Sequence, residues 1–367
     1  MNLFFSKTLF TGAVATLMLL TQACTTVENS ASLTISANNP HILYSGRAEG
    51  YGTEQVVVGY SGARERIKFH GTSIGAKIID DSGENYIAVW VDGEATGKMV
   101  LNREDHFYPL AENLEEGEHT VEVMRITECQ FGLTRFEGFV LNEGAKVLPW
   151  IPEHDRKIEF IGDSITCGYG VEANDPNLHF DAATENFSLN YSGLTARALD
   201  ADYVAICRSG IGIVRNYDGP YEGSKDTMPD VYPYSFYLDY NQAWDFSKYT
   251  PDVVCINLGT NDFSTTGVNV DKYIATYTAF AGKVLGHYSE AQLVIILGPM
   301  DNGAELKTAL NQVVANLSEN NAGRVHFLEL TAQGQLGLGA DYHPNLEQSR
   351  YNATELTTYL SDLMGWK

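Results

Sequence analysis

Four short segments carry side chains suited to acyl chemistry. Ile158 to Gly170 reads IEFIGDSITCGYG: an apolar run stops at Gly162-Asp163-Ser164 and turns into small residues. Such a run reads as a buried parallel strand delivering Ser164 to the carboxyl edge of a sheet, where open α/β folds keep their chemistry. A serine there needs a base to remove its proton and donors for the oxyanion it generates. Candidates follow in Ser209-Gly210-Ile211-Gly212, Leu258-Gly259-Thr260-Asn261-Asp262 and Asp341-Tyr342-His343-Pro344. Glycine lets a backbone N–H approach closely, and Asn261 offers a neutral donor that cannot be lost to titration. Singly each segment is weak, because a serine after a strand is commonly an N-cap and a lone histidine commonly structural. Together, and in this order, they form a constellation.

These segments need a sheet to collect them, and the second half of the chain supplies one. Strand candidates are 158–163, 203–208, 253–258, 293–297 and 325–330. Between the later ones, Ile274, Tyr277, Ala281 and Val284 share one helical face, and Leu306, Leu310, Val313 and Leu317 another. Leu356, Leu360 and Leu363 give a last helix its apolar side. The expected fold is a three-layer α/β/α domain over 153–367 with a five-stranded parallel sheet. With strand order 2-1-3-4-5, the second and third strands flank the first, which disfavours a Cys207–Cys255 bridge. Both cysteines lie in apolar runs and read as buried thiols.

Residues 39–152 have a different grammar. Ile67 and Phe69 alternate with Arg66 and Lys68, and Ile87, Val89 and Val91 with Tyr86, Ala88 and Trp90, before Asp92-Gly93 marks a tight turn. Short strands with turn signals and no helical pattern predict a β-sandwich of jelly-roll type. Ahead of it, residues 1–23 read as a signal sequence, with Lys7 before an apolar stretch from Leu9 to Leu20. Cys24 follows the small Ala23, as the lipid-modified cysteine of a lipoprotein does, and 24–38 reads as a polar tether. The expectation is export with attachment to the cell envelope through lipid on Cys24, with plain secretion as the alternative.

The net charge is −23, from 24 basic and 47 acidic residues, which excludes a nucleic-acid partner. Tyr217, Tyr221, Tyr232, Tyr234, Phe236, Tyr237, Tyr240 and Trp244 crowd one stretch. It is either a self-packed loop or a set of rings offered to the apolar faces of sugars. No zinc or calcium spacing is present in the sequence and no cofactor is expected.

GDS at Gly162–Ser164, the glycine at Gly210, GTND at Gly259–Asp262 and DYHP at Asp341–Pro344 resemble the four blocks of SGNH (GDSL) hydrolases. With a β-sandwich in front, and with GDSITCGYG and INLGTNDF as they stand, the chain is similar to carbohydrate esterase family 2. That resemblance implies removal of acetyl groups from plant polysaccharides such as xylan and glucomannan. It implies Ser164 as nucleophile, His343 as general base and Asp341 as the acid orienting His343. The Ser164 and Gly210 N–H groups and the Asn261 amide would form the oxyanion hole, and sugar-binding residues stay unassigned. Asp341 stands two residues before His343, where the wider superfamily usually spaces them by three. The family it resembles uses the shorter spacing, and some members use a backbone carbonyl instead, so a turn or helix-entry role for Asp341 competes. Asp163 and Asp262 read as shaping their own turns. The rival readings are a GDSL esterase or lipase acting on lipid or bacterial glycan, and a glycan-binding lipoprotein with an inert hydrolase domain.

Overall fold

The computed structural model describes residues 32–300 and 303–367. The signal sequence, Cys24 and the first part of the tether lie outside the described residues.

Twelve strands build the N-terminal sandwich: β1 (Leu33–Ser36), β2 (Leu43–Ser45), β3 (Ala48–Glu49), β4 (Val56–Val58), β5 (Arg64–Gly71), β6 (Ile74–Asp80), β7 (Tyr86–Val91), β8 (Glu94–Val100), β9 (Phe107–Ala111), β10 (Gly117–Arg125), β11 (Thr134–Leu141) and β12 (Lys146–Leu148). One sheet runs β3-β4-β11-β6-β9 with β1 also on β11; the other runs β12-β5-β10-β7-β8 with β2 also on β5. Ile67, Phe69, Ile87, Val89, Val121 and Phe139 fill the space between them. One boundary needs correcting: Leu33–Ser36, within the stretch read as tether, is a strand paired antiparallel with β11. Ile35 is buried there, and the backbone pairing outweighs the polar composition that suggested a free linker.

The C-terminal half has β13 (Lys157–Gly162), β14 (Asp202–Cys207), β15 (Val253–Asn257), β16 (Gln292–Leu297) and β17 (Val325–Glu329), all parallel in the order β14-β13-β15-β16-β17. That is the expected 2-1-3-4-5 order. β13 separates Cys207 from Cys255, and both are buried free thiols. The helices are α1 (Ser164–Cys167), α2 (Tyr191–Ala198), α3 (Met228–Val231), α4 (Thr260–Phe263), α5 (Val270–His287), α6 (Ala304–Ser318) and α7 (Leu346–Met364). α5 buries Tyr277, Ala281 and Val284, and α6 buries Leu306, Leu310, Val313 and Leu317, as their 3.6-residue period requires.

The two halves share a core. Ala88 and Trp90 of β7, which face away from the sandwich interior, are buried with Met124 and Ile126 against Phe160, Phe187 and Tyr203 of the C-terminal half. Strict alternation on β7 would leave that face wet; here both faces are covered. Arg47 of the sandwich is fully buried and reaches the Tyr234 carbonyl at 2.9 Å and Glu159 Oε1 at 3.2 Å. Its guanidinium also lies over Tyr232 and Trp244, at 4.5 and 5.4 Å from the ring centres. Much of the aromatic stretch is therefore packed around an arginine, with Tyr232, Phe236 and Trp244 buried and Tyr217, Tyr221 and Tyr240 exposed.

Candidate active site

β13 ends in Gly162, and the next two residues begin a single helical turn. Asp163 is its N-cap, accepting the Ile165 N–H at 3.0 Å, and the turn closes on Gly168 in the left-handed region. Ser164 is thereby fixed at the first helical position with 6 % of its surface exposed, its hydroxyl aimed across the crevice. His343 Nε2 lies 2.8 Å from Ser164 Oγ.

The other ring nitrogen decides the tautomer. Nδ1 faces two backbone carbonyls, Ala340 O at 3.1 Å and Asp341 O at 3.2 Å. Carbonyls only accept, so Nδ1 carries the proton and Nε2 is left to accept from the Ser164 hydroxyl. Two consecutive non-glycine residues in the left-handed region, Asp341 (φ 46°) and Tyr342 (φ 60°), bend the chain so that both carbonyls converge on the ring. Gly170 makes room for this bend, since a Cβ there would stand 2.6 Å from Ala340 Cβ.

The carboxylate of Asp341 does not reach His343, and its assignment as the orienting acid is corrected accordingly. It accepts from Tyr169 Oη at 2.5 Å, His179 Nδ1 at 2.9 Å and the Phe180 N–H at 3.1 Å. The left-handed backbone that turns the Asp341 carbonyl to the imidazole turns its side chain toward these groups. Burial opposes its charge, but the Tyr169 and His179 hydrogen bonds hold the carboxyl below the usual range. Tyr169 in turn stacks on His343, with ring centres 4.0 Å apart and planes 23° from parallel. Burial lowers the His343 pKa to about 4, outweighing the two carbonyl hydrogen bonds that raise it, so the imidazole is held neutral.

On the other side, Gly210 has φ 77°, and a Cβ there would meet nothing closer than Tyr217 Cβ at 3.6 Å. Glycine is needed for that backbone angle more than for close approach. Asp262 shapes the same loop by accepting the Ile213, Val214 and Arg215 N–H groups at 2.9, 2.7 and 3.0 Å. Asn261 is buried beside the nucleophile, and its amide donates to Ile211 O at 2.9 Å and Asp163 Oδ2 at 3.2 Å. Both amide hydrogens are thus engaged. Burial pushes the Asp163 and Asp262 carboxyls up to about 7 and about 6.

Sequence reasoning did not single out Tyr169, which reads as an ordinary member of the Gly-Tyr-Gly turn, or Glu128, whose side chain reaches the Ser209 N–H. Neither carries a motif signal; only the tertiary approach of the 340–343 bend and of the sandwich defines them. Tyr342 adjoins His343 in sequence, the Tyr217 N–H donates to the Gly210 carbonyl at 2.8 Å, and the two residues are 56 % and 62 % exposed. A separate cavity of about 610 Å³ lies at the opposite end of the strands, lined by Tyr51, Trp90, Trp150 and Arg66, where Lys157 and Asp202 open β13 and β14.

A serine after the first strand, a histidine before the last helix and a 2-1-3-4-5 parallel sheet define an SGNH-type serine hydrolase. Residues 160–350 match the family described as GDSL-like Lipase/Acylhydrolase, and residues 44–150 match Carbohydrate esterase 2 N-terminal. The chain belongs to carbohydrate esterase family 2. It is 34% identical to an acetylxylan esterase/glucomannan deacetylase of Cellvibrio japonicus over 320 residues, covering 81% of this chain and 83% of the relative. It is 35% identical to the cellulase/esterase CelE of Acetivibrio thermocellus over 91% of this chain, but spans only 41% of that protein's length. A family two carbohydrate esterase from Clostridium thermocellum, solved in complex with cellohexaose, superposes with a TM-score of 0.84 at 34% identity, covering 89% of this chain and 100% of that one.

Proposed function

We propose that the protein is a carbohydrate esterase that removes O-acetyl groups from plant polysaccharides such as xylan and glucomannan. The observation that carries this is the 2.8 Å contact between His343 Nε2 and Ser164 Oγ in a chain of this family. Ser164 Oγ attacks the acetyl carbonyl carbon while His343 Nε2 takes its proton. The oxyanion forms against the Ser164 and Gly210 N–H groups and the Asn261 amide. Collapse expels the sugar oxygen, which takes the proton back from His343 and leaves acetyl-serine. Water then attacks the acyl carbon, again deprotonated by His343, and collapse breaks the bond to Ser164 Oγ, which takes the proton back from His343 as acetic acid departs. During both steps the imidazolium is held by the Ala340 and Asp341 carbonyls and faces the Tyr169 ring. Asp341 acts through its carbonyl, with its carboxylate steadying Tyr169.

Exposed Tyr217 and Tyr342, close to Gly210 and His343, are suited to stacking on sugar faces. Acetate release from acetylated xylan and glucomannan, set against a p-nitrophenyl acyl series, tests the reading. Acetyl should be strongly preferred, with activity falling steeply beyond propionyl; equal turnover of acetyl and octanoyl esters would favour a lipase-like role. Anchoring through lipid on Cys24 is part of the proposal, supported by Ala23-Cys24 after an apolar stretch. An unmodified or differently cleaved N-terminus in the mass of the native protein overturns that part.

A further inference from the structure

The sandwich enters the site through one turn. Glu128 follows β10 and is fully buried. Its Oε2 accepts the Ser209 N–H at 2.6 Å and lies 3.9 Å from Cys167 Sγ, and its Oε1 accepts from Gln130 Nε2 at 3.0 Å. The turn itself is clamped: the Glu128 N–H donates to Glu185 Oε2 at 3.0 Å, and Arg125 Nη2 donates to the Glu128 carbonyl at 2.8 Å. Three residues further on, Phe131 stacks on Phe180 with centres 5.7 Å apart and planes 13° from parallel. Phe180 rests against Tyr169 at 4.7 Å, and Tyr169 against His343 at 4.0 Å.

We infer that the sandwich turn Glu128–Phe131 positions both halves of the catalytic site. Glu128 fixes the peptide immediately before the Gly210 N–H, and Phe131 backs the ring stack that holds His343. This rests on the esterase reading above. The same cluster has a second reading, because ligand atoms of Glu128, Cys167 and Glu185 lie within 4.8 Å of one another. Both Glu128 oxygens already accept hydrogen bonds, and burial raises the pKa of Glu128 and Glu185 and so disfavours the charged carboxylates a cation would need; the cluster is an internal anchor and not a cation cage. A carboxyl group suits the task because its two oxygens accept bonds in separate directions, here from Gln130 and from the Ser209 N–H. Catalytic geometry is sensitive at this level, since misplacement of a reacting or stabilising group by about 1 Å can cost about 10²-fold.

The full-length protein tests this with Glu128→Asp, Glu128→Gln, Glu128→Ala and Phe131→Leu. Measured are kcat and KM on p-nitrophenyl acetate, affinity for an aryl boronic acid that forms a tetrahedral adduct on Ser164, and the melting temperature. Glu128→Asp withdraws the acceptor by one methylene and keeps the carboxyl group. It should lower kcat and boronate affinity together by about tenfold, short of the 10²–10³ expected for losing a donor outright, with KM little moved. Glu128→Gln keeps an acceptor oxygen at the same reach and should recover most of the loss. Phe131→Leu should lower kcat about threefold. Glu128→Ala should exceed Glu128→Asp where it folds, and Glu128→Asp carries the test where it does not. Folded Glu128→Asp with wild-type kcat and boronate affinity overturns the inference, as does a fall in kcat matched by KM and unrescued by Gln. A wild-type protein that releases no acetate overturns the esterase reading instead, so the two failures are told apart.

Discussion

The two sides of the crevice are built from different materials. On the donor side, buried carboxyls accept backbone N–H groups: Asp262 takes three from residues 213–215, Asp163 takes that of Ile165, and Glu128 takes that of Ser209. On the base side, backbone carbonyls accept from the imidazole, and the nearest carboxylate is turned away to Tyr169. These carboxyls fix loop shape by accepting backbone N–H groups. A carboxylate against His343 would raise its pKa, whereas carbonyls and a stacked ring leave burial to win and hold the base neutral down to about 4. The contrast predicts which substitutions act through chemistry and which through shape.

The largest effects come from the reacting pair. Ser164→Ala and His343→Ala should each lower kcat/KM by roughly 10⁶-fold, because nucleophile and base act as a unit. Ser164 follows β13 and His343 lies in the loop before α7, both outside the packed core, so circular dichroism and melting temperature should stay near wild type. Retained turnover in folded Ser164→Ala would remove the acyl-enzyme from the mechanism.

Asn261→Ala comes next, at about 10²–10³-fold in kcat, the scale of one lost oxyanion donor. Here the donor side is tested directly, since the amide also bonds Asp163 Oδ2 and Ile211 O. An unchanged rate in folded protein would mean those two bonds are the whole role of Asn261.

Much of this was legible in the residues. β13 through β17 were expected within one or two positions, because apolar runs bounded by Gly, Pro and Asp signal buried parallel strands. Ser164 and His343 were legible as motif members, and they meet. What sequence could not supply is direction. Spacing puts Asp341 two residues before His343, but only the left-handed angles at Asp341 and Tyr342 turn its carbonyl, and not its carboxylate, to the ring. Glu128, 36 positions before Ser164 in the other half of the chain, was equally hidden, as was β1 within a polar stretch. These depend on long-range packing that no local pattern encodes.

The base side is sharpened by Tyr169→Ala. Removing the stacked ring wets His343, and desolvation is what depresses its pKa. In the wild type the acid limb of kcat/KM should lie near pH 4, well below that of an ordinary imidazole. In Tyr169→Ala it should move up toward about 6.5, the unperturbed value, so that activity is lost over a pH range where the wild type keeps it. Tyr169→Phe keeps the stack and loses only the bond to Asp341, and its limb should stay low. A limb that does not move in Tyr169→Ala would show that something other than this ring dries the base.

The smallest effect is expected at Asp341, and the choice of substitution matters. Ala would disturb two things at once, the carboxylate and a left-handed backbone that costs a non-glycine residue about 1–2 kcal/mol. Asn tolerates that backbone and keeps an acceptor for Tyr169 Oη or the Phe180 N–H, so Asp341→Asn isolates the charge. The carbonyl that holds His343 Nδ1 is untouched. One weakened hydrogen bond is worth about 1 kcal/mol, which converts to less than about tenfold in rate. A triad acid behaves otherwise: its amide counterpart stabilises the wrong tautomer and costs about 10⁴-fold. Here the tautomer is set by two carbonyls, so Asp341→Asn should leave kcat within tenfold of wild type with the acid limb nearly in place. If Asp341→Asn instead falls by about 10³-fold or more, the carboxylate swings to the imidazolium during turnover, and the base side is a triad after all.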